Sequence, residues 1–197
     1  MSPSLASACR AAALLSLAMS ASSAAAQGAG KLALSGRIAI EGKSNLHDWT
    51  CATEKFEATV ESPGPAADVG KALTSLTVTV PVKSIDCGHG GMNDNLRKAM
   101  HADQHPTVEY RMTSYTAERH GDGYAATVQG VLTINGVERP TELKATVTPN
   151  DSGGAGAVGS APITTTDFGV KPVSAMLGTM RTSPKVTITF RLTAKPE

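Results

Sequence analysis

The first places to look for chemistry in this chain are five histidines (His47, His89, His101, His105, His120), three cysteines (Cys9, Cys51, Cys87) and scattered carboxylates. His101 and His105 are four residues apart and could share a metal on one helical turn. Pro106 follows directly, and a helix that stops near Asp103 no longer aims both rings to one side. The Glu of a His-Glu-x-x-His site is also missing, so both read as surface histidines. His47 and Asp48 have the composition of a base with its orienting carboxylate. Neighbours on a strand point to opposite faces, however, and no nucleophile elbow lies nearby. Glu109 and Glu142 alternate with apolar residues, as outward, solvated positions do. There is no Gly-x-Ser-x-Gly, no phosphate loop ending in Lys-Ser or Lys-Thr, and no dinucleotide fingerprint. The expectation is a protein that is not an enzyme and uses neither a metal nor a cofactor.

Residues 1–26 carry one positive charge, Arg10, then the apolar AAALLSLAM, then small residues ending in Ala24-Ala25-Ala26. This is the layout of a signal peptide, with cleavage expected after Ala26 and export of residues 27–197 as one domain. Cys9 would leave with the leader. In an oxidising compartment Cys51 and Cys87 most simply form a disulfide, which would stabilise the fold by roughly 3 to 4 kcal/mol. A metal pair or two free thiols are the competing readings. The 18 Lys and Arg against 17 Asp and Glu fall to 17 of each sign without Arg10, and no basic surplus remains for binding nucleic acid. No apolar run reaches the roughly 20 residues of a membrane-spanning helix. Seven aromatic residues are too few for the two girdles of an outer-membrane barrel.

The elements that must position these residues are mostly strands. Period-two sets recur at Leu32, Leu34, Ile38 and Ile40; at Phe56, Ala58 and Val60 after Trp49 and Cys51; and at Leu76, Val78, Val80 and Val82. Further sets are Val108, Tyr110 and Met112; Tyr124, Ala126, Val128, Leu132 and Ile134; and Leu143, Ala145 and Val147. A weak strand holding Val158 and Ile163 follows, and Val186, Ile188, Phe190 and Leu192 close the series at eight. Asn135-Gly136 and Gly121-Asp122-Gly123 are hairpin turns; Pro63-Gly64-Pro65 and residues 152–156 are longer loops. Met92, Leu96 and Met100 predict one short helix, capped by Asn93 or Asp94 and bracing one end of the β structure. The fold class is all-β: eight short antiparallel strands must close into a barrel or stack as a sandwich to keep their apolar face dry. In a closed barrel of eight strands, so few large side chains leave room for an elongated apolar guest.

Several motifs carry a resemblance. Gly42-Lys-Ser-Asn-Leu-His-Asp-Trp49, Phe56-x-Ala-x-Val, Leu76-Thr-Val-Thr-Val-Pro-Val with Ser84-Ile85-Asp86, and Met92-Asn-Asp-Asn-Leu-Arg-Lys-Ala-Met come in that order. His105-Pro-Thr-Val-Glu-Tyr, Gly130-Val-Leu-Thr-Ile-Asn-Gly and Thr166-Asp-Phe-Gly-Val follow. Over nearly all of residues 27–197 the chain resembles the YceI-like family. The resemblance implies an eight-stranded antiparallel lipocalin-like β-barrel in the periplasm, holding a polyisoprenoid or other long-chain amphiphilic lipid, with no catalytic residues. Cys51 and Cys87, which many members lack, and the His-Asp before Trp49 depart from the pattern and bear on the ligand's identity.

On this reading the lumen is lined by Ile38, Ile40, Trp49, Phe56, Val78, Val80, Tyr110, Met112, Val128, Leu132, Phe168 and Phe190. Phe168, beside Gly169 in an expected loop, would gate the mouth. The partner is thus an isoprenoid or long-chain lipid, with no nucleic acid and no membrane span; the oligomeric state stays open, a dimer included. The alternative is a periplasmic redox- or metal-associated accessory protein using Cys51, Cys87 and histidines. A lipid hydrolase ranks below both, because no nucleophile pairs with a base.

Overall fold

Alternating apolar residues become strands throughout the chain. The computed structural model describes residues 30–63, 73–151, 154–175 and 179–197; the expected leader, most of the Pro-Gly-Pro loop and part of the Gly-rich loop lie outside them. The strands are β1 (Gly30–Ser44), β2 (Asp48–Thr53), β3 (Glu57–Ser62), β4 (Ser75–Pro81) and β5 (Thr107–His120). After them come β6 (Gly123–Ile134), β7 (Val137–Pro149), β8 (Ala155–Thr164), the two-residue β9 (Ser174–Ala175) and β10 (Met180–Pro196). Helix α1 (Gly90–Ala99) lies between β4 and β5.

All pairings are antiparallel, and β10 returns to β1 from Leu32–Pro196 to Ser44–Thr182, so the sheet closes on itself. Strand β2 pairs with Ile38–Lys43 of β1, and β3 with Gly30–Leu32. These two are halves of one stave, and the barrel is eight-stranded. The break between them has a local cause. The Thr53 hydroxyl accepts the Lys55 N–H at 3.0 Å and shares a hydrogen bond with Ser84 Oγ at 2.9 Å, which turns the chain out of the ladder. Inward parity therefore shifts, from Cys51 and Thr53 before the break to Ala58 and Val60 after it.

A bulge does the same to β5. Met112 faces Gly130 and Ser114 faces Gln129, leaving Thr113 without a partner position, so beyond it Tyr115 and Ala117 turn inward. The β6–β7 hairpin turns on Asn135 and Gly136, both at positive φ, as its Asn-Gly sequence predicts. In β8 the inner face is Ala155, Ala157, Gly159, Ala161 and Ile163, while Val158 is 46% exposed on the outside. The expected weak strand holding Val158 and Ile163 is this one, and the two residues, five apart, lie on opposite faces of it.

The helix differs from expectation at its start. The cap is His89, whose Nδ1 accepts the Gly91 N–H at 3.2 Å, rather than Asn93 or Asp94. Asn93 instead ties the preceding loop, accepting from Cys87 N–H at 2.7 Å and donating to Asp86 at 2.9 Å. Arg97 and Lys98 occupy the last turn, where cations suit the helix dipole.

The closing seam is tight at Gly36, with φ of 132° and no room for a Cβ against the Arg191 carbonyl. Gly36→Val should destabilise the protein by about 1–3 kcal/mol through backbone strain at the seam. Urea unfolding checks this as a lower midpoint at constant slope; an unmoved midpoint would show that the seam tolerates a side chain there.

Candidate functional site

The inward-facing residues of the eight staves surround a cavity of about 190 Å³. Ile38, Val78, Leu143, Ile188 and Phe190 line it, yet they are only half-buried, because part of each faces empty space rather than packed atoms. Among the described residues, no charged one contributes to this wall. Two features keep the space open. One is the small-residue inner face of β8. The other is the placement of three aromatic rings: Trp49 lies against Gly42, Tyr110 against Gly130 and Phe190 against Gly159, each contact too close for a Cβ on the glycine. The rings lie along the wall instead of across the lumen.

The two ends are closed differently. At one end Leu32, Val60, Ala126, Val147, Ala155 and Ala194 form a dry plug of short side chains. At the other, Met100, Ala102, Phe168 and Val170 pack with Val82, Leu132 and Ile134, and α1 lays Leu96 and Ala99 against them. Beside this cap a second cavity, of about 180 Å³, is lined by His47, Trp49, Met92, Asn95, Phe168 and Lys171 among others. It shares Ile40, Cys51, Met100 and Ile134 with the inner cavity, so the two are a mouth and an interior with a common wall.

The cap is tied down at one corner. Cys51 and Cys87 form a disulfide, and Ala52 and Asp86 exchange two backbone hydrogen bonds of 2.8 Å beside it. Asp86 receives hydrogen bonds from the Asn93 side chain and the Gly88 N–H, which hold its carboxyl below the usual range. No residue of α1 is itself buried, so these links carry much of its attachment.

The wall is incomplete near the mouth. Strands β7 and β8 pair only from Lys144–Ser160 to Pro149–Ala155, and above that they part. The single turn Thr165–Phe168 touches β7 and β10 there, and Gly169, at φ of 72°, ends it. Phe168 is 2% exposed, and Asn135 donates a hydrogen bond to its carbonyl at 3.3 Å. Phe168, together with Trp49, Ile163, Ser183 and Val186, borders both the mouth cavity and a depression of about 1260 Å³ on the outer wall. That depression is lined by many outward polar and charged residues, among them Glu41, Lys43, Arg139, Glu142 and Lys185.

Of the twelve residues expected to line a lumen, Ile38, Ile40, Val78, Val80, Tyr110, Val128, Leu132 and Phe190 border the inner cavity. Trp49 and Phe168 border the mouth, as does Ile40. Phe56 packs with Cys51, Val80 and Ile85, and Met112 packs against the cluster beneath the cap; neither borders either cavity. Phe168 sits in a helical turn inside the core rather than in an open loop. Sequence reasoning missed Tyr115, whose parity the bulge at Thr113 reverses, and the Ala and Gly positions of β8, which carry no hydrophobic signal. The histidines do not gather. His101 Nδ1 lies 3.0 Å from Asn135 Oδ1, His105 packs on Gly136, and no three His, Cys, Asp or Glu side chains form a metal-sized cluster among the described residues.

Burial governs the lumen's phenols. Tyr110 shares its hydroxyl proton between the carbonyls of Val128 (3.0 Å) and Thr141 (3.2 Å), and burial, then the nearby Glu142 charge, raises its pKa. Tyr115 is pushed up to about 12 by burial and the proximity of Tyr124.

A closed antiparallel barrel with one sealed end and a hollow interior is the architecture of the lipocalin-like barrels. Residues 21–194 match the model of the YceI-like domain, and the chain belongs to that family. It is 32% identical over 120 residues to a UPF0312 protein of Pseudomonas paraeruginosa, covering 57% of this chain and 58% of that protein. A UPF0312 protein of Serratia proteamaculans is 32% identical over 100 residues, covering 48% and 51%. The chain thus spans a little over half the length of the curated relatives it matches. Burkholderia cenocepacia BcnA shares the fold at 24% identity and a TM-score of 0.64, covering 80% of this chain and 95% of that one. A polyisoprenoid binding domain from Saccharophagus degradans, implicated in plant cell wall breakdown, shares it at 11% identity and a TM-score of 0.59, covering 85% and 98%.

Two outcomes follow from this geometry. The folded chain holds the Tyr115 proton more tightly than the unfolded chain, whose tyrosines titrate near 10, so this contribution is complete below about pH 10 and disappears as pH rises toward 12. Tyr115→Phe should flatten the decline of stability across that alkaline window; an unchanged slope in pH-dependent urea unfolding would contradict it. Phe168→Ala should cost about 3–5 kcal/mol by emptying the split between β7 and β8. A loss below about 1 kcal/mol would mean that the ring is not the seal.

Proposed function

We propose that this chain is a non-catalytic carrier or holder of one long apolar chain, a polyisoprenoid or another long-chain amphiphilic lipid, exported to the periplasm. The observation that carries the reading is the pair of adjoining apolar cavities, mouth and interior, the inner of which has no charged residue among the described residues that line it. The YceI-like domain and the fold shared with the Saccharophagus polyisoprenoid binding domain support it. The leader-like residues 1–26 and the Cys51–Cys87 disulfide support export. The redox- or metal-associated alternative gains no supporting observation, since Cys51 and Cys87 are bonded to one another.

Desolvation drives such binding. Each isoprene unit moved from water into the lumen contributes up to roughly 3 to 4 kcal/mol by methylene counting. Over a long tail this exceeds any real affinity, so immobilisation and imperfect fit offset much of it. The two cavities joined reach only the lower end of the roughly 300–1,000 Å³ usual for ligand sites. One linear chain fits that space better than a ring system, and its length is selected by the distance from the mouth to the small-residue plug. Phe168, at the split in the wall, is the gate of this proposal.

Ala157→Phe places a ring in the inner cavity and should weaken binding of a long-chain amphiphile at least tenfold while leaving the thermal midpoint within a few degrees. Fluorescent-probe displacement reads the affinity, and native mass spectrometry of the purified protein reads any co-purifying chain. Undiminished affinity in a folded variant would place the ligand outside the lumen and sink the proposal.

A further inference from the structure

A linear amphiphile has two ways to enter a lumen with one mouth, and the polar groups along the wall decide between them. The hydroxyls bordering the inner cavity belong to Thr53, Tyr110 and Tyr115. Thr53 is engaged by Lys55 and Ser84, and Tyr110 by the Val128 and Thr141 carbonyls. Tyr115 remains a protonated phenol. An ionised head group placed there would lose its hydration with no ion and no free donor pair to replace it.

The mouth has the opposite character. Among its described lining residues Lys171 is the sole lysine or arginine, and there is no carboxylate. His47, Asn95 and Ser44 add hydrogen-bonding groups. Lys171 is exposed and makes no ion pair among the described residues. Carboxylates elsewhere at this end are already engaged: Asp48 with Lys43 (3.9 Å), Asp94 with Arg97 (3.5 Å), Asp103 with Lys83 (2.8 Å), and Asp86 with Asn93. Asp167 borders the outer depression instead of the mouth.

The geometry points to a ligand that enters tail first and leaves an anionic head group, a carboxylate or a phosphate ester, at the mouth against Lys171. This rests on the lipid reading of the lumen and narrows it to anionic, single-chain amphiphiles over neutral or cationic ones of equal length. The acyl and prenyl sources share that chemistry and differ in the head group itself.

The test is a matched ligand series: a long-chain fatty acid, the primary alcohol and primary amine of the same length, and a prenyl monophosphate, each displacing a fluorescent probe from the full chain. The acid and the phosphate should bind about fivefold tighter than the alcohol, with the amine weakest, and rising salt should shrink the gap. Whichever of acid and phosphate binds tighter identifies the head group favoured. Lys171→Ala should bring the acid down to the level of the alcohol, and Lys171→Glu should invert the order of acid and amine; thermal unfolding confirms that each variant is folded. Equal affinity for acid, alcohol and amine in the unaltered protein overturns this inference while leaving the lipid reading standing. Failure of all four to bind overturns both.

Discussion

Everything in this molecule depends on the hydrogen-bonded closure of β1 onto β10. Twelve paired positions join the two strands from Leu32 to Ser44, and without them the sheet would present two open edges and a wet apolar face. Closure turns period-two alternation into an inside and an outside. It also sets a circumference that the available side chains must fill, and here they do not. Val, Ile, Leu and Ala on the inner face, with aromatic rings pressed against the wall, leave a hollow where a packed core would normally be.

That hollow is graded along its axis. Short side chains seal one end, the middle is apolar and uncharged, and the mouth collects a lysine, a histidine and several hydrogen-bonding groups. Topology contributes to this gradient, because the connections from β4 to β5 and from β8 to β10 carry a helix, a helical turn and polar residues over the opening. The disulfide lies where these regimes meet, with Cys51 on the wall and Cys87 in the connection that leads to the cap.

Much of this was legible in the residues themselves. Alternation located the staves, Asn135-Gly136 located its hairpin, and eight of twelve expected lining residues border the inner cavity, because side-chain parity along an uninterrupted strand is a rigid rule. The failures fall where that rule is interrupted or carries no signal. The turn at Thr53 and the bulge at Thr113 each shift parity by one, which hid Tyr115. The inner face of β8 is built from residues too small to register as hydrophobic. His89 caps α1 with a ring nitrogen, outside the usual set of capping side chains. Phe168 is buried because two strands part, a tertiary event that no local pattern records.

The seating of Trp49, Tyr110 and Phe190 on glycines of adjacent strands has a consequence for how such a container changes its cargo. The calibre of the tube is set partly by inward positions that carry no side chain. At Gly42 an added methyl would meet only the Trp49 ring and push it, whereas at Gly130 and Gly159 it would also strike the Arg111 and Lys144 carbonyls. Comparing chains of this kind by their inward side chains alone therefore overlooks the bare positions that regulate girth.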